Sequence, residues 1–296
     1  MIYEGYVFRG GGYKHRDLIE LVEDIGGIIV NARIMGNEAT ITFVVPKRDV
    51  SVIEDIILSR LRGEFEKLPL VGSEIAVVLP SITRHHFPHP ACDIAEYLRR
   101  KGAKTNIIGL ARGTGRRIAQ ISQREKRVIE EHDIAVLILG DFKDCIERYK
   151  WKLYDNLQIP VVVVGGPEEV DSEVPYIGGF GRVLHRLKST EEIRKLDELV
   201  VCVERCLGER QENLTVSPFA IKSEIEDQVD EIKSCRSPKS PIVVQREGVR
   251  IRINYDRYAS KIRESKIGER RVREVAEVKR SEIKDYIIVK PYLQYV

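Results

Sequence analysis

The chain has 296 residues, 43% of them hydrophobic and 32% charged, with a net charge of +3. That is enough to bury one large core or two ordinary ones, and with no run of the roughly eighteen apolar residues that a spanning helix needs, none is expected. The start, MIYEGYVFRGGG, lacks the basic-then-apolar layout of a signal peptide, and an odd count of five cysteines does not suggest a disulfide framework. The expected location is therefore cytoplasmic, with each cysteine either a small core residue or a ligand.

In chain order, Ile2 to Phe8 alternates as a strand and Gly10-Gly11-Gly12 turns the chain. Apolar positions at Leu18, Ile19, Leu21, Val22 and Ile25 form a helical stripe that Gly26-Gly27 ends. Ile28 to Ile34 and Ala39 to Val45 read as a hairpin around Gly36-Asn37. A helix from Val50 to Leu61 and a short strand from Glu64 to Leu68 complete a β-α-β-β-α-β order, the ferredoxin-like pattern, expected over residues 1–72.

From Glu74 the pattern changes. EIAVVLP, TNIIGLA, DIAVLILGD and IPVVVVGG are continuous apolar runs, suited to parallel strands buried on both faces. Helices are expected between them at Ala91 to Lys101, Arg117 to Glu131 and Phe142 to Tyr154, with Thr190 to Gly208 closing the unit. This alternation predicts a mainly parallel open-sheet, Rossmann-like α/β domain over residues 73–210. Residues 211–296, with a hairpin at Pro241 to Ile253, a helix at Tyr255 to Glu264 and a final strand at Ile287 to Tyr295, are expected as an extension packing on the sheet domain or on a partner.

Charge is concentrated between Arg84 and Arg127, where eleven Lys or Arg face only Asp93, Glu96 and Glu125. The same stretch holds His85, His86, His89 and Cys92. Ligands gather outside the carboxyl ends of parallel strands, and four marked segments fall there: Arg84 to Cys92, Ala111 to Arg117, Asp141 to Cys145, and Gly165-Gly166. Pro90 is expected just inside a helix start, putting Cys92 in the first turn, where the dipole favours a thiolate. Cys145 is expected at a similar place. Two thiols on neighbouring loops, with His85 or His89, could hold a metal or iron–sulfur centre; the alternative is two small buried residues. Cys202 and Cys206 border an apolar stripe, which favours a structural role, and Cys235 lies in a polar loop with no partner in sequence.

The loop Arg112-Gly113-Thr114-Gly115-Arg116-Arg117 follows a strand as a dinucleotide loop would, but Ile118 stands where the third glycine belongs. Its arginines fit an anionic cofactor or an acidic protein surface. Few aromatics accompany them, so base stacking with nucleic acid is poorly provided for.

The run RHHFPHPACDIAEYLRRKGAKTNIIGLARGTGRRIAQIS resembles the core of the methanogenesis marker protein seven family. GGGYKH, EIAVV, HDIAVLILG and PVVVVGGPE are similar to it in order and spacing. The resemblance implies an archaeal, cytoplasmic, non-catalytic electron-transfer subunit of the ATP-dependent hetero-complex that activates methyl-coenzyme M reductase by reducing its nickel tetrapyrrole. It further implies a complex iron–sulfur cluster related to a nitrogenase cofactor precursor. The implied partners are the reductase operon protein C, other marker proteins, the reductase itself and an ABC-type component that hydrolyses ATP; neither nucleic acid nor membrane is implied. The absence of a Walker A loop here agrees with ATP hydrolysis elsewhere. Two alternatives stand beside this reading: an enzyme with Cys92 as nucleophile, and a cofactor-free scaffold.

Overall fold

The computed structural model describes residues 3–80, 88–110, 120–180, 189–208, 213–234 and 240–294. They fall into two compact units, Met1–Gly72 with Arg210–Lys279 and Ile287–Val296, and Ser73–Glu209 with Arg280–Tyr286. The chain is mixed α/β, with one parallel sheet and several antiparallel ones.

In the first unit, β1 (Tyr3–Gly11), α1 (His15–Asp24), β2 (Ile28–Met35), β3 (Glu38–Pro46), α2 (Val50–Ile56) and β4 (Glu64–Lys67) follow one another. The strands lie in the order β2-β3-β1-β4, with antiparallel pairing throughout. Successive strand residues point to opposite faces. Phe8, Ile41 and Phe43 accordingly pack on Leu18 and Val22 of α1 and Ile53 of α2, while Val7 and Val44 belong to a second core.

The second unit is built on the parallel sheet. It contains β5 (Glu74–Leu79), α3 (Pro88–Arg100), β6 (Lys104–Gly109), α4 (Gln123–Glu130), β7 (Ile134–Ile138), α5 (Lys143–Arg148), β8 (Val161–Val164), β9 (Tyr176–Ile177) and α6 (Ser189–Leu207). The strand order is β6-β5-β7-β8-β9, all parallel. Ala76, Val78, Ala135, Leu137 and Val163 pack on Ile129 of α4 and Ile146 of α5. The alternate residues Ile75, Val77, Val136 and Val162 are equally buried; α3 packs on β5 and β6, α6 on β7, β8 and β9, and the two helices on each other, which covers that face.

Three helices differ from expectation. α3 already includes Pro88, because prolines are tolerated in a first turn whose N–H groups have no partner within the helix. α4 begins only at Gln123, where Ser122 and Glu125 form a capping box, so residues 120–122 are not helical. The helix expected over Phe142 to Tyr154 is broken into α5 and a separate turn, Lys150–Leu153.

The segment expected as an extension is distributed differently. It contains α7 (Pro218–Gln228), α8 (Asp230–Ser234), β10 (Ile242–Gln245), β11 (Gly248–Ile251), α9 (Tyr255–Glu264), β12 (Lys266–Ile267), β13 (Arg270–Arg271), α10 (Val272–Val275), β14 (Ala276–Arg280) and β15 (Ile287–Pro291). A second antiparallel sheet, β10-β11-β15-β14, joins α7 and α9 in one core with Val7, Val44, Leu68 and Val71. It therefore covers the open face of the first sheet, and Phe219 lies with its ring centroid 5.9 Å from that of Tyr3. Among the described residues, no helix is long and apolar enough to cross a membrane.

Glu131-His132-Asp133, between α4 and β7, ties the second unit together. Glu131 accepts from Ser281 Oγ and from the Glu282 amide, each at 2.6 Å, and Arg127 Nε donates to Glu282 at 2.7 Å. Asp133 Oδ2 accepts the Glu74 amide at 2.7 Å. Asn106 Nδ2 donates to Glu74 Oε1 at 2.7 Å and to His132 Nε2 at 3.0 Å. His132 Nδ1 lies 3.0 Å from the Val128 carbonyl, which can only accept, so the proton sits on Nδ1 and Nε2 is the acceptor. Asn106→Ala removes one donor from two buried acceptors and should cost about 1–3 kcal/mol. Denaturant unfolding measures this, and an unchanged midpoint would show that the network contributes nothing.

Candidate functional site

The order β6-β5-β7 reverses direction at β5, the place where ligands collect on a parallel sheet. The loops after β5 and β6 carry His85, His86, Arg112, Gly113, Gly115, Arg116 and Arg117, and all of these lie outside the described residues, as does Cys235. His89 falls within α3. The carboxyl edge is therefore described at β7, β8 and β9.

There the backbone is closely knit. Leu139 N donates to Val164 O at 2.9 Å and Gly166 N to Gly140 O at 2.9 Å. Gly140 takes a φ of +81°, which a side chain would strain. A Cβ on Gly166 would stand 2.1 Å from Asp141 Oδ1, so the carboxylate can lie there only against glycine. Tyr176 Oη donates to Pro167 O at 2.6 Å, and its pKa is pushed up to about 12 by burial, then by Glu168 and Asp141.

Under this edge sits Lys150, a residue that sequence reasoning missed. Its side chain is only 2% exposed, and Nζ donates to the carbonyl of Leu139. Burial holds its pKa below the usual lysine range, opposed by the Cys145 thiol and the Asp141 carboxylate. The Lys150 ammonium is thus in electrostatic reach of a thiol and of a carboxylate. Nothing in RYKWKL marks one lysine as buried; only the break after Arg148 turns Lys150 inward.

Cys145 is the third residue of α5 and half-buried. Cys92 is exposed, and as the fifth residue of α3 it lies beyond the first turn expected for it. The two helices cover opposite faces of the sheet, so one group could touch both thiols only across the carboxyl edge. Cys202 is buried and pairs with Cys206, whose thiol pKa is raised by burial and then by Cys202, which disfavours a thiolate there. Among the described residues, no group of three or more His, Cys, Asp or Glu could hold a metal ion.

Comparison with known proteins places the chain. The family model of methyl-coenzyme M reductase operon protein C matches residues 3–265. The chain belongs to the methyl-coenzyme M reductase operon protein C family. That family, which the sequence resemblance had as a partner, is thus the chain's own. An uncharacterized protein of Methanocaldococcus jannaschii is 46% identical over 295 residues, 98% of this chain and 94% of its own. The methyl-coenzyme M reductase operon protein C of Methanosarcina barkeri is 27% identical over 101 residues, 31% of this chain and 48% of its own. Among solved structures, a phospho-2-dehydro-3-deoxyheptonate aldolase from Thermotoga maritima is 10% identical, covering 69% of this chain and 66% of its own; its TM-score of 0.19 is too slight to carry an argument.

Lys150 gives this family member a pH signature. A lysine whose folded pKa is depressed binds fewer protons folded than unfolded between that pKa and 10.5. Its destabilising effect is full below the folded pKa and fades as pH rises towards 10.5. Wild type should therefore gain stability relative to Lys150→Met over that window, as unfolding at a series of pH values would reveal. A difference that does not vary with pH would mean that the two states hold Lys150 alike.

Proposed function

We propose that this chain is a subunit of the system serving methyl-coenzyme M reductase, and that it carries electrons towards the enzyme's nickel tetrapyrrole without catalysing a reaction itself. Membership of the operon protein C family is the observation that carries this reading. Kinship with methanogenesis marker protein seven, and with it partnership with other marker proteins and a separate ABC-type ATPase, rests on the motif run around Cys92. A ferredoxin-like first sheet and a Rossmann-like second unit rest on the order of strands and helices.

The cofactor in this reading is a complex iron–sulfur cluster, which when bound supplies low-potential electron transfer. The residues present fit it in part. Cys145, beside the Lys150 ammonium at the sheet edge, suits one end of an anionic cluster. Exposed Cys92 suits a second attachment or a place where a partner's ligands meet this chain. His85 and His89 are further candidate ligands, with Arg112, Gly113, Gly115, Arg116 and Arg117 as the cationic and N–H surroundings. The remaining ligands would come from a partner subunit.

A second reading, a cofactor-free docking subunit, is favoured by one observation. Phe142, Tyr149 and Trp151 are 68%, 54% and 39% exposed around Cys145, and exposed aromatics of this kind anchor protein interfaces.

Iron and acid-labile sulfide in the complex purified without oxygen separate the two readings. Cys92→Ala and Cys145→Ala should each lower iron content and reductase activation, while Cys202→Ala keeps both. At exposed Cys92 the change should alter stability by no more than about 0.5 kcal/mol. Full iron in Cys92→Ala would overturn its assignment as a ligand, and an iron-free, active complex would leave the docking reading.

A further inference from the structure

The second unit has a cleft on the side of the sheet covered by α4 and α5, distinct from the edge described above. Its volume is about 380 Å³, within the range of small-molecule sites. The floor is Ile121, Leu153 and Leu157; Leu153 is 1% exposed, and the other two pack partly buried on the same core. Lys126 from α4 and Lys152 from the turn after α5 stand on its walls, with the Asn156 amide.

Among the described residues, no carboxylate lines the cleft. Glu130 Oε1 accepts the backbone N–H of Gln158 at 2.9 Å and stands 3.5 Å from Lys126 Nζ. Asp155 Oδ2 accepts the Asn156 amide at 3.3 Å. Lys152 Nζ lies over the Trp151 ring, 5.6 Å from its centroid, and forms no ion pair among the described residues. Two lysine side chains thus line one apolar floor, with the Glu130 carboxylate paired to Lys126 and no ion pair at Lys152 among the described residues. The floor in turn offers burial to carbon rather than to water.

We propose that this cleft binds a small organic anion, its phosphate or carboxylate head between Lys126 and Lys152 and a short aliphatic body on Ile121, Leu153 and Leu157. The head group satisfies the two cations and the Asn156 amide. The body distinguishes the ligand from an inorganic ion. The site is independent of any iron–sulfur cluster, so its test needs only the full-length, metal-free chain.

Butyl phosphate and hexanoate are suitable probes, with inorganic phosphate and 1-butanol as their separate halves, followed by calorimetry or amide chemical shifts. At least one amphiphilic anion should bind roughly tenfold or more tightly than either half, a difference of about 1.4 kcal/mol. Which of the two binds better separates a phosphate head from a carboxylate. The double variant Lys126→Gln, Lys152→Gln should weaken that binding by a similar factor, while Lys126→Arg retains it. Both lysines lie at the surface of the cleft, and an unchanged circular dichroism spectrum verifies that the double variant folds. The proposal is overturned if neither amphiphile saturates the protein, if inorganic phosphate binds as well as butyl phosphate, or if the folded double variant binds undiminished.

Discussion

Every residue of β5, β7 and β8 is buried, and the second unit follows from that constraint. A parallel strand covered on both faces can present no side chain to solvent along its length, so polar chemistry is confined to its two ends. Valine and isoleucine fill the middle because branched side chains pack well on a pleated surface. At the amino end, Glu74, Asn106, His132 and Asp133 are bound to one another. At the carboxyl end, Asp141, Cys145, Lys150 and Tyr176 gather under two glycine turns. One end locks the sheet and the other is open to function.

The contrast between the ends is one of compensation. At the amino end each of these contacts pairs a donor with an acceptor, and the tautomer of His132 follows from its neighbours. At the carboxyl end a lysine is placed where burial works against its own charge. Such a cost is tolerated in a fold where a group nearby needs a cation, and the thiol of Cys145 is one candidate beneficiary. The close approach of Gly166 to Asp141 similarly fixes a carboxylate at the expense of any side chain on the neighbouring strand's exit.

Much of this was legible in the residues. VVVV and IAVLI are too apolar and too short to be anything but buried strands, and ATITFVV was readable as the second strand of a hairpin. Ser122 and Glu125 also carried a readable helix start, which the more conspicuous glycine loop upstream obscured. The placement of residues 211–296 was not legible. IVVQ and GVRI identify two strands, but nothing in them says that Phe219 and Ile225 will cover Val7 and Val44; that pairing is decided by which face is left bare. Lys150 was invisible for the opposite reason, since its neighbours Lys152 and Trp151 are exposed and the run looks like a solvated helix. For the thiols, the sequence marked both positions, but the crossover geometry that sets α3 and α5 on opposite faces comes from topology alone.

The seven residues Arg280–Tyr286 belong to the second unit although the chain on either side of them belongs to the first. A gene fragment ending at residue 209 would thus omit the strap that Glu131 and Arg127 hold. The second unit is discontinuous in sequence, and a construction that isolates it faithfully must graft this loop back or retain the whole chain. The same arrangement makes the C-terminal third inseparable by simple truncation, because the loop and its flanking strands β14 and β15 serve different cores.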